Sequence, residues 1–334
     1  MTETSRAEPV WQRLRRNWHR LWPGLLPFAL PSVFYILTLS SSLSLLPPDQ
    51  PWPAVAAEDF KPAGFARSAH DVEGRFLYGT VTTLTRAVSV GAIGLTLVVL
   101  LRRCGVLRGL VFPFIGASLA GMLIGWAIAT EDAPLLHVVY APLQAAEDAG
   151  VTMRGTAAKL EAMLFWSMWL GGIAIILFML ASSVLAIRAR PEQRSVELLR
   201  QRMSDLQLIT LSVAALWVVI VTSHKLLLAW PQGLLIDEIA KPFGALANGY
   251  AVSTGVTGTL LIACATAPVI LSLKADVKSA AAEAGAAGPT AERDWLRTNQ
   301  LELAPASVLT TILSTAAPML TSPLIDVAGS LLRG

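Results

Sequence analysis

Three basic side chains lie inside apolar runs of the sequence, and they are the residues best placed to do chemistry. His224 and Lys225 are adjacent in VTSHKLLLAW, residues 221–230, and Arg86 lies in an apolar run at about 79–101. An ionisable group inside a membrane costs free energy, so it usually marks an ion path, a proton relay or a ligand site. Because all three are basic, they predict a path or vestibule that favours anions. The alternative is that they snorkel to water or form structural pairs.

Depth favours the structural interpretation for the adjacent pair. If Trp230 marks the outer interface, Lys225 is about 7–8 Å below it, a distance that a lysine stem can mostly cover. We therefore expect Lys225 to snorkel outward past Trp230. His224 points about 100° away around the helix. We expect it to turn inward and to hydrogen-bond with Ser253 or Thr254.

No catalytic or cofactor motif accompanies these residues. The sequence has no GxSxG, no HExxH, no Walker loop and no GxGxxG after a strand. The histidines are His19, His70, His137 and His224, and no two of them have the spacing of a metal-binding pair or of a bis-histidine haem site. Cys104 and Cys264 form no CxxC motif, so we interpret both as reduced. The sequence thus predicts no catalytic, cofactor-binding or metal-binding residue, and no cofactor.

Composition places the chain in a membrane. Of its 334 residues, 54% are hydrophobic and 15% are charged, and the mean hydropathy is +0.57, whereas a soluble domain carries about 25% charged residues. A span needs about 20 apolar residues. Runs of that length occur at about 24–46, 79–101, 107–129, 162–187, 206–230 and 249–273. The predicted fold is all-α: a polytopic integral membrane bundle of six transmembrane helices with additional interfacial amphipathic helices.

The distribution of charge predicts the orientation. Of the 26 lysines and arginines, 18 fall on the N-terminal segment, on the connections after the second and fourth spans, or on the C-terminal tail. The opposite side carries 12 of the 23 acidic residues. By the positive-inside rule, both termini are cytoplasmic. We therefore expect a multi-pass protein of a bacterial-type inner (plasma) membrane.

The chain divides into four segments along its length. These are a basic amphipathic cytoplasmic segment at 1–23, the six-span bundle at 24–273, an Ala/Gly-rich linker with a short helix at 274–300, and an amphipathic tail at 301–334. Outer loops are expected at 47–78, 130–160 and 231–248, and residues 194–207 are expected to extend the fifth span into the cytoplasm. Trp126, Trp166, Trp169 and Trp230 are expected to form an outer aromatic belt.

Small residues indicate where helices approach closely. Gly121 and Gly125 form a GxxxG motif in the third span, and Gly255 and Gly258 lie in the sixth. Such faces let neighbouring helices pack tightly. We interpret them as packing positions inside the bundle; the alternative is homo-oligomerisation.

Three functional hypotheses follow from these observations. The first is a non-enzymatic scaffold, sensor or effector subunit, supported by the missing catalytic motifs and the amphipathic segments. The second is a channel or transporter with a basic outer vestibule, based on Arg86, His224 and Lys225. The third is a membrane enzyme acting on lipids, for which no convincing cluster of residues is present. The expected partners are the lipid bilayer and a protein bound through the C-terminal tail or the N-terminal basic helix, but not nucleic acid.

Overall fold

The computed structural model describes residues 22–27, 29–33, 56–62, 64–129, 141–189, 194–286 and 288–301, and over 104–129 only the backbone is described. In these residues the regular secondary structure is helical. One isolated antiparallel bridge joins Phe60 to Leu235. The predicted N-terminal segment 1–23 and the tail 301–334 lie almost entirely outside the described residues.

Six α-helices follow one another along the chain. They are α1 (Phe65–Ala129), α2 (Ala141–Asp148), α3 (Thr156–Ala186), α4 (Val196–Leu234), α5 (Asp237–Glu283) and α6 (Pro289–Thr298). The Arg67–Arg103 part of α1 and the whole of α3, α4 and α5 are long and apolar enough to cross a membrane. The chain is therefore a helical membrane protein, as its composition predicts.

The bundle has two distinct ends, which we name after one residue at each. Arg202 and Trp230 lie 28 positions apart on α4, which corresponds to about 42 Å along the helix. The Arg202 end also holds the end of α3, and the Trp230 end holds the short connection between α4 and α5. Where α1 and α3 pack together, both run toward the Arg202 end. α4 runs in the opposite direction, toward the Trp230 end.

A regular seam on α1 faces the other helices. Tyr78, Thr82, Thr85, Ser89, Ala92, Thr96 and Val99 are all buried, at alternating spacings of four and three residues. This spacing keeps one stripe of a helix against its neighbours. Thr85, Ser89 and Thr96 donate their hydroxyl protons to carbonyls one turn earlier, at 2.7–2.8 Å. Most residues of the seam have small side chains, and their hydroxyls mostly bond to carbonyls of α1 itself. α3 and α4 can therefore pack closely against α1.

The apolar core lies among α3, α4 and α5. Phe178 and Leu185 of α3 pack with Ile209 and Val213 of α4 and with Ile262 of α5, and all five are buried. Burial of side chains of this size stabilises a structure by about 1.5–3 kcal/mol each when water is the alternative. Within lipid the gain comes from close packing instead, because the acyl chains are equally apolar.

One predicted packing glycine has a defined partner. A Cβ placed on Gly258 would lie 2.6 Å from Cδ2 of Trp217, so the indole occupies the space that a side chain would need. Gly255 is also buried on α5. Gly121 and Gly125 lie on α1 in the part where only the backbone is described.

The boundaries of several elements differ from prediction. The 18-residue outer loop expected at 231–248 is a connection of only two residues, Leu235 and Ile236, because both flanking helices extend beyond the apolar runs. The linker expected from 274 onward is helical as far as Glu283. Residues 102–106, where an inner loop is expected, are helical. The extension of the fifth span over 194–207 is confirmed, since α4 begins at Val196.

We predict that Gly258→Ala destabilises the bundle. The added methyl group must displace the Trp217 ring, and overpacking of this kind costs about 1–3 kcal/mol. Gly249→Ala is the matched control, because a Cβ at that position on the same helix meets nothing within 4 Å. Thermal unfolding in detergent should show a lower midpoint for Gly258→Ala alone. Equal midpoints for the two variants would contradict the close approach of α4 and α5.

Candidate functional site

Arg86 joins two helices within the apolar part of the bundle. From α1, its Nη2 donates to the Met163 carbonyl at 3.0 Å and its Nε donates to Ser167 Oγ at 3.4 Å. Both acceptors belong to α3. The Arg86 guanidinium therefore ties α1 to α3.

Lys225 does not extend to the outer water. Only 9% of its surface is exposed, and Ser223 and Leu227, two positions before and after it on α4, are also buried. This burial contradicts the prediction that Lys225 snorkels past Trp230. The depth argument fails because it measures distance along one helix, whereas neighbouring helices cover the side chain.

His224 turns toward α5, as predicted, but toward a different residue. Its ring centroid lies 5.5 Å from that of Tyr250, with an angle of 53° between the planes. Thr254, one of the two expected partners, donates its hydroxyl to the Tyr250 carbonyl instead. His224 Nδ1 is buried and has no hydrogen-bond partner within the described part of the chain. The contact is thus an aromatic one between α4 and α5.

Arg86 and His224 contact different helices. Arg86 binds α3, and His224 packs against Tyr250 of α5. The two side chains therefore lie in different helix interfaces.

Trp230 forms part of a buried polar cluster. Its indole Nε1 donates to Asp71 Oδ1 at 3.1 Å, and Arg75 binds the other oxygen of Asp71 at 2.5 Å. The Arg75 guanidinium also lies 6.0 Å from the Trp230 ring centroid. Trp230 is buried, so its expected role in an exposed aromatic belt is wrong. Gly74 leaves the space that the indole fills.

A short extended segment closes the Trp230 end. Lys61 N donates to the Leu234 carbonyl at 2.9 Å, and Ile236 N donates to the Asp59 carbonyl at 2.8 Å. Lys61 Nζ reaches the Gly233 carbonyl at 3.2 Å. These bonds satisfy backbone groups at the end of α4 that the helix itself leaves free.

The most strongly coupled polar group lies at the opposite end. Arg202 of α4 donates to Asp276 of α5 at 2.6 Å, and to the carbonyls of Leu185 and Ile187 at 2.6 and 2.9 Å. Ala189 N donates to the same Asp276 oxygen at 3.0 Å. Arg202 and Asp276 are 5% and 1% exposed. One ion pair thus connects α4, α5 and the last turn of α3.

A second acid extends this group to α1. Asp205, one turn after Arg202, accepts hydrogen bonds from Arg102 Nη1 at 3.2 Å and from Arg103 Nη2 at 2.7 Å. Its side chain is almost fully buried. We call these five residues the arginine cluster: Arg102, Arg103, Arg202, Asp205 and Asp276.

The sequence pattern points to the three arginines of the arginine cluster but not to its two acids. It predicts the arginines as positive charges that flank the spans on the inner side, and it predicts no function for the acids. The available signal is that Asp205 and Asp276 are the acids nearest the ends of two apolar runs, each with a basic residue within three positions. An acid at such a position predicts a partner, because an unpaired buried carboxylate is costly.

Within the described residues, no three histidine, cysteine, aspartate or glutamate side chains are grouped so that they could hold a metal ion. Cys264 is a free, partly buried thiol on α5. The described polar groups mainly hold helices together, and none forms a pair of nucleophile and base.

The chain matches no known family model, and neither a curated protein nor a solved structure shows significant similarity to it.

We predict that Asp276→Asn strongly destabilises the protein, because it leaves the Arg202 charge buried without a counter-charge. Breaking a buried pair from one side costs about 3–5 kcal/mol. Glu197→Gln is the control, since Glu197 pairs with Arg200 on the exposed surface of the same end. The free energy of unfolding should fall for Asp276→Asn and change little for Glu197→Gln. An unchanged midpoint for Asp276→Asn would mean that the pair has no structural role.

Proposed function

We propose that the protein is a non-enzymatic subunit of a bacterial-type inner membrane, acting as a scaffold, sensor or effector. The observation that carries this proposal is how the polar groups inside the candidate spans are bonded or buried. Arg86 binds α3, His224 packs on Tyr250, and Lys225 is buried. Groups committed to helix contacts are suited to holding a bundle in one arrangement.

The anion-path alternative would require basic groups that face common water. The Arg86 guanidinium instead donates to a backbone carbonyl and a hydroxyl of the neighbouring helix. An enzyme acting on lipids would require a cluster of acids, histidines or a metal at an interface. In the described residues the buried acids, Asp71, Asp205 and Asp276, are each bound to arginine.

The proposal includes six membrane crossings with both termini cytoplasmic. Two contacts support the first crossing. Gly24 lies against Ile187 and the Ser183 carbonyl at the Arg202 end, and Phe60 pairs with Leu235 at the Trp230 end. The chain between Gly24 and Phe60 must therefore connect opposite ends of the bundle.

Chain length supports a second such connection after α1 reaches Arg103. Arg103 is held at the Arg202 end by Asp205, whereas Leu143 is buried at the Trp230 end. A straight helix to Ala129 would end about 75 Å from the level of Leu143, at 1.5 Å per residue. The 14 residues that follow can cover at most about 50 Å. Because this stretch is helical throughout, we propose that α1 bends sharply between Arg103 and Ala129, with 107–129 as the third span.

We assign partner binding to the Arg202 end, which is cytoplasmic in this orientation. α6 lies there, with Trp295 and Leu296 packed near Leu199 and Val277. The remaining surface of α6 is charged and exposed. Gly24, just after the N-terminal basic segment, and Leu301, at the start of the tail, lie at the same end, so we propose that a protein partner binds the segment 1–23 and the tail 301–334.

Cysteine labelling tests the proposed topology. In a background with Cys104→Ser and Cys264→Ser, an impermeant maleimide should label Asp148→Cys and Asp237→Cys on intact cells. Ser5→Cys and Ala284→Cys should react only after permeabilisation. Labelling of Ala284→Cys on intact cells would overturn the orientation, and labelling of positions 148 and 284 from the same side would overturn the crossing count.

Flux measurements separate the scaffold from the anion path. Liposomes that contain the protein should pass chloride and phosphate no faster than protein-free liposomes. Arg86→Gln should lower the unfolding midpoint, because each interhelical hydrogen bond in a membrane contributes about 0.6–1.7 kcal/mol. Lys241→Gln, at an exposed position of α5, is the control for loss of one charge. Anion flux that disappears in Arg86→Gln while its melting is unchanged would contradict the proposal and establish the alternative.

A further inference from the structure

The charges of the arginine cluster do not balance. Asp276 pairs with Arg202, while Asp205 serves both Arg102 and Arg103. Three cations and two anions leave one positive charge. Arg103 binds Asp205 through two nitrogens and its side chain is 11% exposed, whereas Arg102 binds through one nitrogen and is 49% exposed. The excess charge is therefore carried by Arg102.

Arg102 lies at the end of an exposed apolar face of α1. Leu95 and Val98, seven and four residues earlier, are exposed on the same face. They belong to the part of α1 that is long and apolar enough to cross a membrane, so this face meets acyl chains. Arg102 is then at the level where the acyl chains end and the headgroups begin.

Two glycines leave a stretch of α1 without side chains above Arg102, which we call the recess. Gly91 and Gly94 are exposed, and a Cβ added at either position would meet nothing within 4 Å. Val98 and Leu95 stand beside them. From Gly91 to Arg102 the helix rises about 16 Å, close to half the thickness of the hydrocarbon core, about 15 Å. One acyl chain fits along this length.

We propose that α1 binds one anionic phospholipid from the leaflet at the Arg202 end. The Arg102 guanidinium, held in place by Asp205, binds the phosphate, which matches its planar donor geometry. An acyl chain lies over Gly91 and Gly94 beside Val98. The site favours anionic over zwitterionic lipids, because the cluster carries one net positive charge that a zwitterionic headgroup does not neutralise. This inference needs α1 to cross the membrane with the face of Leu95, Val98 and Arg102 turned to lipid rather than to the spans proposed at 24–46 and 107–129, and it does not rest on the proposed scaffold role.

Thermal unfolding of the full-length protein with added lipid tests the inference. A ligand that binds the native state raises the unfolding midpoint by an amount that grows with its concentration relative to its Kd. Phosphatidylglycerol should raise the midpoint more than phosphatidylcholine with the same chains. Arg102→Gln should lose this difference. Arg200→Gln is the matched control, because Arg200 is similarly exposed at the same end but pairs with Glu197 on α4; it should keep the difference.

A second variant tests the recess without changing charge. Gly94→Leu adds a side chain where there is open space, so it should fold, fill the recess and reduce the phosphatidylglycerol-specific shift. Equal loss in Arg102→Gln and Arg200→Gln would show diffuse attraction to anionic lipid and overturn the site. An unchanged shift in Arg102→Gln would also overturn it. If Arg102→Gln does not fold, an unchanged shift in Gly94→Leu overturns it.

Discussion

The buried pair of Arg202 and Asp276 is the interaction on which the helix arrangement most depends. A charge removed from water loses hydration free energy unless an opposite charge and hydrogen bonds replace it. Arg202 obtains both, from the Asp276 carboxylate and from the Leu185 and Ile187 carbonyls, which the end of α3 leaves free. Acyl chains are as apolar as leucine, so removal of apolar surface from water does not drive spanning helices together. The ion pair fixes the register of α4 on α5, because a shift along the helix axis would leave two buried charges apart.

The same requirement explains the rest of the bundle. At the Trp230 end, Asp71 is satisfied by Arg75 and by the Trp230 indole. In the middle, the hydroxyls of the α1 seam mostly bond to their own helix, and Arg86 finds acceptors on α3. The two ends hold axial register, while the small seam lets the helices approach. A bundle tied at both ends and closely packed between them is suited to presenting a constant surface, which is why a scaffold role agrees with it better than a path for ions.

Charge at the Arg202 end serves two physical purposes. The arginines counted as a topological signal are also the partners of Asp205 and Asp276. Burying two acids among three arginines neutralises most of the charge and leaves the remainder on Arg102, at the edge of the bundle. A positive flank can therefore orient the chain during insertion and afterwards act as a structural and lipid-facing element.

The sequence alone determined the membrane class and the positions of the four candidate spans (Arg67–Arg103 of α1, α3, α4 and α5) to within about a dozen residues, since hydropathy and length are local properties. It also identified Gly258 as a packing position and 194–207 as an extension of α4. Only the tertiary structure decided the partners. The sequence pattern places Trp230 at the membrane interface, but in the structure Trp230 binds Asp71, 159 positions earlier in the chain. The depth inferred for Lys225 depended on that marker, and Asp276 meets Arg202 across 74 positions. Whether a charge lies in water or against an opposite charge depends on residues far away in the chain. The local sequence pattern therefore does not reveal which partner a charged residue has.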